Sequence, residues 1–266
     1  MQVATIQFAP YLADLDATLA DLERLWPQTN GADLVVLPEL CNSGYNFESK
    51  RQAYASSETI NDSRFVRFLV EHARASKCDI VAGFNERVGK KLYNSALLIG
   101  PDGVTGHYRK LHLFMTEKDF FEPGDLGAPL FDFRGFKLGM LICFDWVFPE
   151  VWRLMMLKGA DIICHPSNLV IPGNCQRAMP THALTNRVFT ITANRIGNER
   201  GLDFTGGSII CDTKGKVLAM APEKEEAVIS VEIDPAAARD KGITARNDVI
   251  ADRRPDVYAE IFDLHK

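Results

Sequence analysis

The chain has 266 residues, 46% of them hydrophobic and 24% charged, with a formal net charge of −5. At that length roughly three-quarters of the unfolded chain's surface is hidden on folding, so a sizeable core is available. Mild acidity, dispersed basic residues and the lack of any apolar run near the ~18 residues of a membrane helix leave no reason to expect a nucleic-acid or membrane partner.

The first residues, MQVATIQFAP, have neither the basic nor the long apolar region of a secretory leader. They open an apolar strand over 3–8, followed by a helix-period stretch over 16–26 with apolar residues at 19, 22, 25 and 26. A strand over 33–37 comes next, then a second helical stretch over 62–75 and strands over 79–84 and 95–99. Further strands are expected over 137–143, 161–164, 188–193, 208–211 and 227–233, with a helix after Pro149. From Asp234 the sequence reads as a helix followed by an extended tail that reaches a neighbouring subunit. Apolar strands alternating with helices give an α/β protein, expected as one domain over 1–266.

The cysteines, at 41, 78, 143, 164, 175 and 211, form no CxxC pair, and the histidines form no HExxH. Neither a disulfide framework nor a zinc site is expected, and the expected setting is a reducing cytoplasm without metal or other cofactor.

An internal repeat organises the chain. GADLVVLPE at 31–39 matches GADIICHPS at 159–167, VATIQFA at 3–9 resembles LGMLICF at 138–144, and NSALLIGPDGVTG at 94–106 resembles GGSIICDTKGKVL at 206–218. The order strand, helix, strand, helix, strand, hairpin therefore occurs twice. Two such halves pack most simply sheet against sheet, which predicts a four-layer α-β-β-α sandwich.

Cys143 differs from the other cysteines in context. It ends the apolar run LGMLIC and precedes FDWVFPE and the helical VWRLMMLKG, where Pro149 and Glu150 suit a first turn. Helix N–H groups near a cysteine stabilise its thiolate; a small core residue is the other reading of the same context. Cys164 and Cys211 lie inside strand runs and read as core. Glu39 follows Leu-Val-Val-Leu-Pro at the mouth of a sheet, where loss of solvent suits it to base or acid duty. A loop carboxylate capping an N–H fits equally, and Ser167 occupies the matching place in the repeat. Lys110 lies in YRKLHLF, where alternation puts Tyr108, Lys110 and His112 on one face. It reads as an oxyanion donor or as a solvated lysine whose removal leaves the fold standing. Glu117 is a second candidate acid or positioning group, or a loop carboxylate beside Lys118.

Together these residues fall into a pattern. PELCNSGY, YRKLHLF, EKDFFEPGD and LICFDWVFPE resemble, in order and spacing, the motifs of the nitrilase superfamily of carbon–nitrogen hydrolases. The resemblance runs nearly end to end, through NRVFTITANRIG at 186–197 and FTGGSII at 204–210. It implies the α-β-β-α fold, Glu39 as general base, Lys110 as oxyanion-stabilising lysine, Cys143 as nucleophile and Glu117 as the second glutamate. It also implies an oxyanion contact from the Phe144 N–H, Trp146 and Asn168 at the substrate pocket, a small amide or nitrile substrate, and a homodimer or higher homo-oligomer.

A Cys–His enzyme would need His112 or His165 beside Cys143 in a papain-type motif, and neither sits in one. A binding or scaffold protein would have no use for Glu39, Lys110 and Cys143 together. Within the superfamily, the dedicated nitrilase branch typically reads Cys-Trp-Glu at the nucleophile, whereas Cys143-Phe144-Asp145 resembles the amidase and carbamoylase branches. Carbamoyl-amino-acid hydrolases often place arginine just beyond; Trp146 and Val147 offer no bidentate partner for a carboxylate, and only a distant residue such as Arg177 could. Phe144, Trp146 and Phe148 suit a small, partly apolar acyl group, one of them being core. An aliphatic amide is therefore the expected substrate.

Overall fold

Along the strand Gln2–Gln7 (β1), Val3 enters one hydrophobic cluster while Ala4 and Ile6 enter another. That is the two-residue period of a strand covered on both faces. The computed structural model describes residues 1–29, 31–262 and 264. After β1 come α1 (Leu15–Leu25), β2 (Leu34–Val36), α2 (Lys50–Ala55), α3 (Arg64–Ser76), β3 (Asp79–Val88), β4 (Lys91–Gly100) and β5 (Gly103–Arg109). The chain continues with α4 (Glu117–Phe120), β6 (Leu130–Phe133), β7 (Phe136–Met140), α5 (Pro149–Leu157), β8 (Ile162–Ser167), α6 (Asn174–Asn186) and β9 (Phe189–Asn194). A short pair, β10 (Asn198–Glu199) and β11 (Leu202–Asp203), precedes β12 (Ile209–Cys211), β13 (Val217–Met220) and β14 (Ala227–Glu232).

Among the described residues these strands form two six-stranded sheets, ordered β14-β1-β2-β3-β4-β5 and β13-β12-β9-β8-β7-β6. In the first, β1, β2 and β3 are parallel, with β14 antiparallel on one side and the β3-β4-β5 meander on the other. In the second, β7, β8 and β9 are parallel, with β6 antiparallel on one side and β12-β13 on the other. The repeat is thus one of topology, and β14 stands to β1 as β6 stands to β7.

Four layers result, as the repeat predicts. Leu22 and Leu25 of α1 with Phe65, Leu69 and Ala73 of α3 cover Val35, Ile80 and Leu97 on the outside of the first sheet. Val3, Leu34, Val36 and Val81 face the second sheet, meeting a cluster that includes Leu138, Met140, Ile162 and Ile191. Trp152 and Met155 of α5 and Met179 and Ala183 of α6 belong to the same cluster and complete the sandwich. Side-chain caps begin three of the helices: Asp14 accepts from Ala17 N at 3.0 Å, Ser49 from Gln52 N at 3.2 Å and Ser63 from Val66 N at 2.9 Å.

Three expectations change. β3 runs on through Asn85 and Glu86 and β4 begins ahead of Asn94, because buried polar residues continue the ladder where the apolar pattern stops. The run expected over 137–143 ends as a strand at Met140, and Cys143 starts a 3-10 turn over Cys143–Val147. The C-terminal tail is not a helix followed by extended chain. Asp234 and Pro235 instead set a 3-10 turn over Pro235–Arg239, followed by a small ladder of β15 (Gly242–Thr244) with β16 (Asn247–Asp248) and a turn of α7 (Pro255–Tyr258). Residues 263, 265 and 266 of that tail lie outside the described residues.

One glycine couples sheet to site. A Cβ on Gly83 of β3 would lie 2.3 Å from the Glu39 Cα and 2.5 Å from Leu40 N and Pro38 O, all backbone atoms that no rotamer change can move. Gly83→Ala is expected to lower stability by about 1–3 kcal/mol and to displace Glu39. Urea midpoints and a turnover assay check it, and a wild-type midpoint would show that the 38–41 segment yields freely.

Candidate active site

The C-terminal ends of parallel strands from both sheets converge on one point, the usual place for a site in an α/β sheet. Glu39 lies in the turn after β2, Cys143 in the turn after β7, and Asn168 directly after β8. Lys110 follows the end of β5, its backbone fixed on both sides: its N–H donates to Asn94 O at 2.8 Å and its carbonyl accepts from Gly124 N at 2.9 Å.

The Lys110 ammonium donates to Glu39 Oε1 at 2.6 Å and to Glu117 Oε1 at 2.7 Å, with the lysine and Glu39 side chains wholly buried. Asn94 Nδ2 donates to the same Glu39 oxygen at 2.6 Å, and Tyr45 OH donates to Glu117 Oε1 at 2.7 Å. The Phe114 N–H reaches Glu117 Oε2 at 3.2 Å. Glu39 Oε2 is buried and has no hydrogen-bond partner among the described residues. Lys110 is therefore not the solvated, dispensable lysine that the sequence allowed. Removing it would strand two carboxylates in the interior, at a cost of about 3–5 kcal/mol.

Cys143 has φ +41°, in the left-handed region that non-glycine residues avoid. Asp145, wholly buried, braces this turn: its Oδ2 accepts from Ile142 N at 2.8 Å and from Tyr108 OH at 2.7 Å. Its Oδ1 accepts from His112 N at 3.2 Å and lies 2.7 Å from His112 Nδ1. The strand leading to Lys110 and the turn carrying Cys143 are thus tied through one carboxylate.

Burial and the neighbouring Glu39 push the Cys143 thiol well above the usual range, and Lys110 offsets only part of this. That direction favours the neutral thiol over the helix-stabilised thiolate read from a strand-to-helix junction: α5 starts only at Pro149, beyond the 3-10 turn, and Glu39 and Glu117 both act against the thiolate. Burial alone would pull the Lys110 ammonium down, but Glu117 and Glu39 outweigh it and hold it above the ordinary lysine value. Burial pushes Glu117 up to about 7, with Lys110 opposing and Glu39 reinforcing.

The other predicted residues divide. Phe144, Trp146 and Asn168 line the cleft at Cys143 together with Phe114, Leu169 and Ile171. The Asn168 amide also donates to the Glu39 backbone carbonyl at 2.9 Å. The free volume there is ≈ 20 Å³, about one water. Phe148 stacks on His112 with centroids 3.7 Å apart, as a packing ring. Arg177 bonds Asn174 on the surface. His165 Nε2 lies 2.8 Å from the Cys143 carbonyl oxygen, so its contact is with the backbone of the cysteine. A larger cavity of ≈ 540 Å³ shares Val170 with the cleft but contains none of the buried charges.

Tyr45, Asn94 and Asp145 were missed as supports. Asn94 had a signal, a lone amide inside KLYNSALLIG; Glu117, Tyr108 and His112, the side-chain partners of Tyr45 and Asp145, are distant in sequence and left none.

Glu117 carries a pH prediction. Its folded value of about 7 stands above the ordinary 4.5, so the folded state binds the extra proton between those limits. The associated stability is complete below about pH 4.5 and is lost as pH rises through 7. Urea midpoints of wild type minus Glu117→Gln, taken from pH 5 to 8, are expected to fall across that window. Parallel curves would assign the titration elsewhere.

The family model for carbon–nitrogen hydrolases matches residues 2–241. A curated nitrilase of Pyrococcus abyssi is 48% identical, covering 97% of this chain and 99% of its own. An N-carbamoylputrescine amidase of Arabidopsis thaliana is 30% identical over 98% and 95% of the two chains. A carbon–nitrogen hydrolase from Helicobacter pylori G27 superposes with a TM-score of 0.85 at 26% identity, covering 98% of each chain. Saccharomyces cerevisiae Nit3, a member of branch 10 of the nitrilase superfamily, gives 0.79 at 30% identity over 90% and 92%. The chain belongs to the carbon–nitrogen hydrolase family, within the nitrilase superfamily, and is a hydrolase of that class.

Proposed function

We propose that the chain hydrolyses small aliphatic amides to a carboxylic acid and ammonia or an amine through a thioester on Cys143. The observation that carries this reading is the state of Glu39: one oxygen anchored by Asn94 and Lys110, the other buried and free, beside a neutral thiol. A free carboxylate oxygen needs a proton donor, and the Cys143 thiol has a proton to lose. Because the thiol is protonated at rest, deprotonation by Glu39 accompanies attack on the carbonyl.

Proton transfer also changes what Lys110 does. Once Glu39 is neutral, the ammonium has lost one of its two counter-charges just as negative charge develops on the substrate oxygen. Lys110 and the Phe144 N–H then hold that oxyanion. The proton returns from Glu39 to the leaving nitrogen, the C–N bond breaks, and a thioester remains. Water, deprotonated by the same carboxylate, attacks the thioester and releases acid and thiol. Glu117 and Tyr45 position Lys110 throughout, and no cofactor enters the cycle.

The tight cleft, with Phe144, Trp146 and Ile171 and no arginine, favours a small uncharged acyl group over a carboxylate-bearing substrate. The 48% identical relative named a nitrilase supports a second reading, a small aliphatic nitrile, which would pass through a thioimidate and consume two waters. The same proposal takes residues 1–266 as one domain that pairs as a homodimer or higher homo-oligomer; exposed Leu154, Leu157 and Leu184 on α5 and α6 fit a buried helical face. Six buried free cysteines fit a reducing cytoplasm.

Cys143→Ala is expected to abolish ammonia release, a loss on the order of 10⁶ in rate. Intact-protein mass spectrometry with a slow substrate should place an acyl adduct on the Cys143 peptide of the wild type; an adduct on Cys164 or Cys211 overturns the assignment. Substrate choice is read by kcat/KM for an aliphatic amide, its matching nitrile and the matching N-carbamoyl acid. The amide is expected to lead, and a tenfold advantage for the nitrile, about 1.4 kcal/mol of transition-state binding, selects the second reading.

A further inference from the structure

The left-handed conformation of Cys143 is strained and persists only where its surroundings over-determine it. Three ring N–H groups do this from behind. His165 Nε2 lies 2.8 Å from the Cys143 carbonyl oxygen, Trp152 Nε1 donates to the Asp145 carbonyl at 3.0 Å, and His182 Nε2 lies 2.8 Å from the Trp146 carbonyl. The rings come from β8, α5 and α6 and pack on one another. Trp152 and His182 stack with centroids 4.5 Å apart at 10°, and Trp152 meets His165 edge-on at 5.6 Å.

A carbonyl oxygen only accepts, so both histidines must carry hydrogen on Nε2. His165 Nδ1 then accepts, and Thr192 Oγ1 at 3.1 Å is placed to donate to it, while Ser167 Oγ donates to the His165 carbonyl at 3.2 Å. This tautomer satisfies both ring nitrogens. Burial pushes the His165 imidazole down to about 4, so it stays neutral beside the cationic Lys110.

The Cys143 carbonyl and the Phe144 N–H belong to one trans peptide, whose plane points them in opposite directions. Gripping the carbonyl from behind therefore aims the N–H forward, and a hydrogen bond to the carbonyl also polarises that N–H as a donor. We infer that His165, with Trp152 and His182, acts as a positioning platform that sets the 143–144 peptide and so creates the backbone half of the oxyanion site. The inference rests on Cys143 being the nucleophile. It assigns no proton transfer to either histidine.

The test separates oxyanion stabilisation from thiol reactivity. The amide reaction, followed as ammonia release from propionamide, develops an oxyanion; thiol exchange with methyl methanethiosulfonate at Cys143 has no carbonyl and develops none. His165→Leu is expected to lower kcat at least ~10-fold, short of the ~10²–10³ for a donor removed outright. KM and the thiosulfonate rate should stay within about threefold, and His165→Gln, which offers an amide N–H at similar reach, should recover most of the kcat. Unchanged kcat in His165→Leu, a parallel fall in both reactions, or no recovery with glutamine overturns the inference. His182→Phe keeps the stacked ring and loses the donor to Trp146. It is expected to show a smaller loss with the same split, and it decides the matter if leucine at 165 does not fold; full activity there is again contrary. A Cys143→Ala variant that still releases ammonia would overturn the underlying mechanism instead.

Discussion

A lysine ammonium taken wholly out of water is tolerated only where carboxylates replace the solvent, and Lys110 has two. Those carboxylates come from the turn after β2 and from the first position of α4, while the lysine follows β5. One ion thus pins three distant segments, and the polar groups around it, Asn94 and Tyr45, exist in the interior on its account. The same ion sets the chemistry. Burial pushes both Glu117 and the adjacent thiol up, Glu39 reinforces the rise in each, and Lys110 opposes it. Stability and reactivity here draw on a single electrostatic arrangement, so changes to either acid act on both.

The duplicated frame is used unequally. Glu39 of the first half matches Ser167 of the second, and Cys143 of the second matches Phe8 of the first by the alignment of 3–9 with 138–144. Ser167 and Phe8 are both buried structural residues. The proposed base and nucleophile therefore come from opposite halves, and the candidate site exists only when the two sheets are stacked. Asp145 adds a second tie across that junction by joining Tyr108 and His112 to the cysteine turn.

Legibility in the sequence followed the range of the interactions involved. Apolar strands, the helix at 62–75 and the repeat are local patterns, and they appear in the structure nearly as read. The residues now gathered around Cys143 were identifiable because motif context marks residue type and order. Partnership was not identifiable: nothing near Lys110 in sequence announces Glu39, 71 positions away, and so the residues alone left a solvated lysine open beside the oxyanion donor that the resemblance implied. Strand ends at Asn85 and Asn94 were lost because burial of polar side chains depends on partners across the sheet. The left-handed turn at Cys143 was invisible, since its bracing by Asp145 and the rings behind it is tertiary. β6 was missed because LFDF lacks the length of an apolar run, although the symmetry of the halves demands a strand there.

That symmetry has an unequal consequence during synthesis. β6 leaves the ribosome just before β7, so the second sheet is paired along that side as soon as it forms. β14, the matching strand of the first sheet, pairs Gln2↔Glu232 through Gln7↔Ala227 and is made after every other strand of the two six-stranded sheets. At 5–20 residues per second the nascent β1 waits on the order of tens of seconds with one edge unpaired. An open apolar edge recruits other strands, so the first half is exposed to mispairing until β14 is made. Because β14 also closes the fold, truncations that remove it would leave a molecule that carries every residue of the site and still lacks a finished sheet.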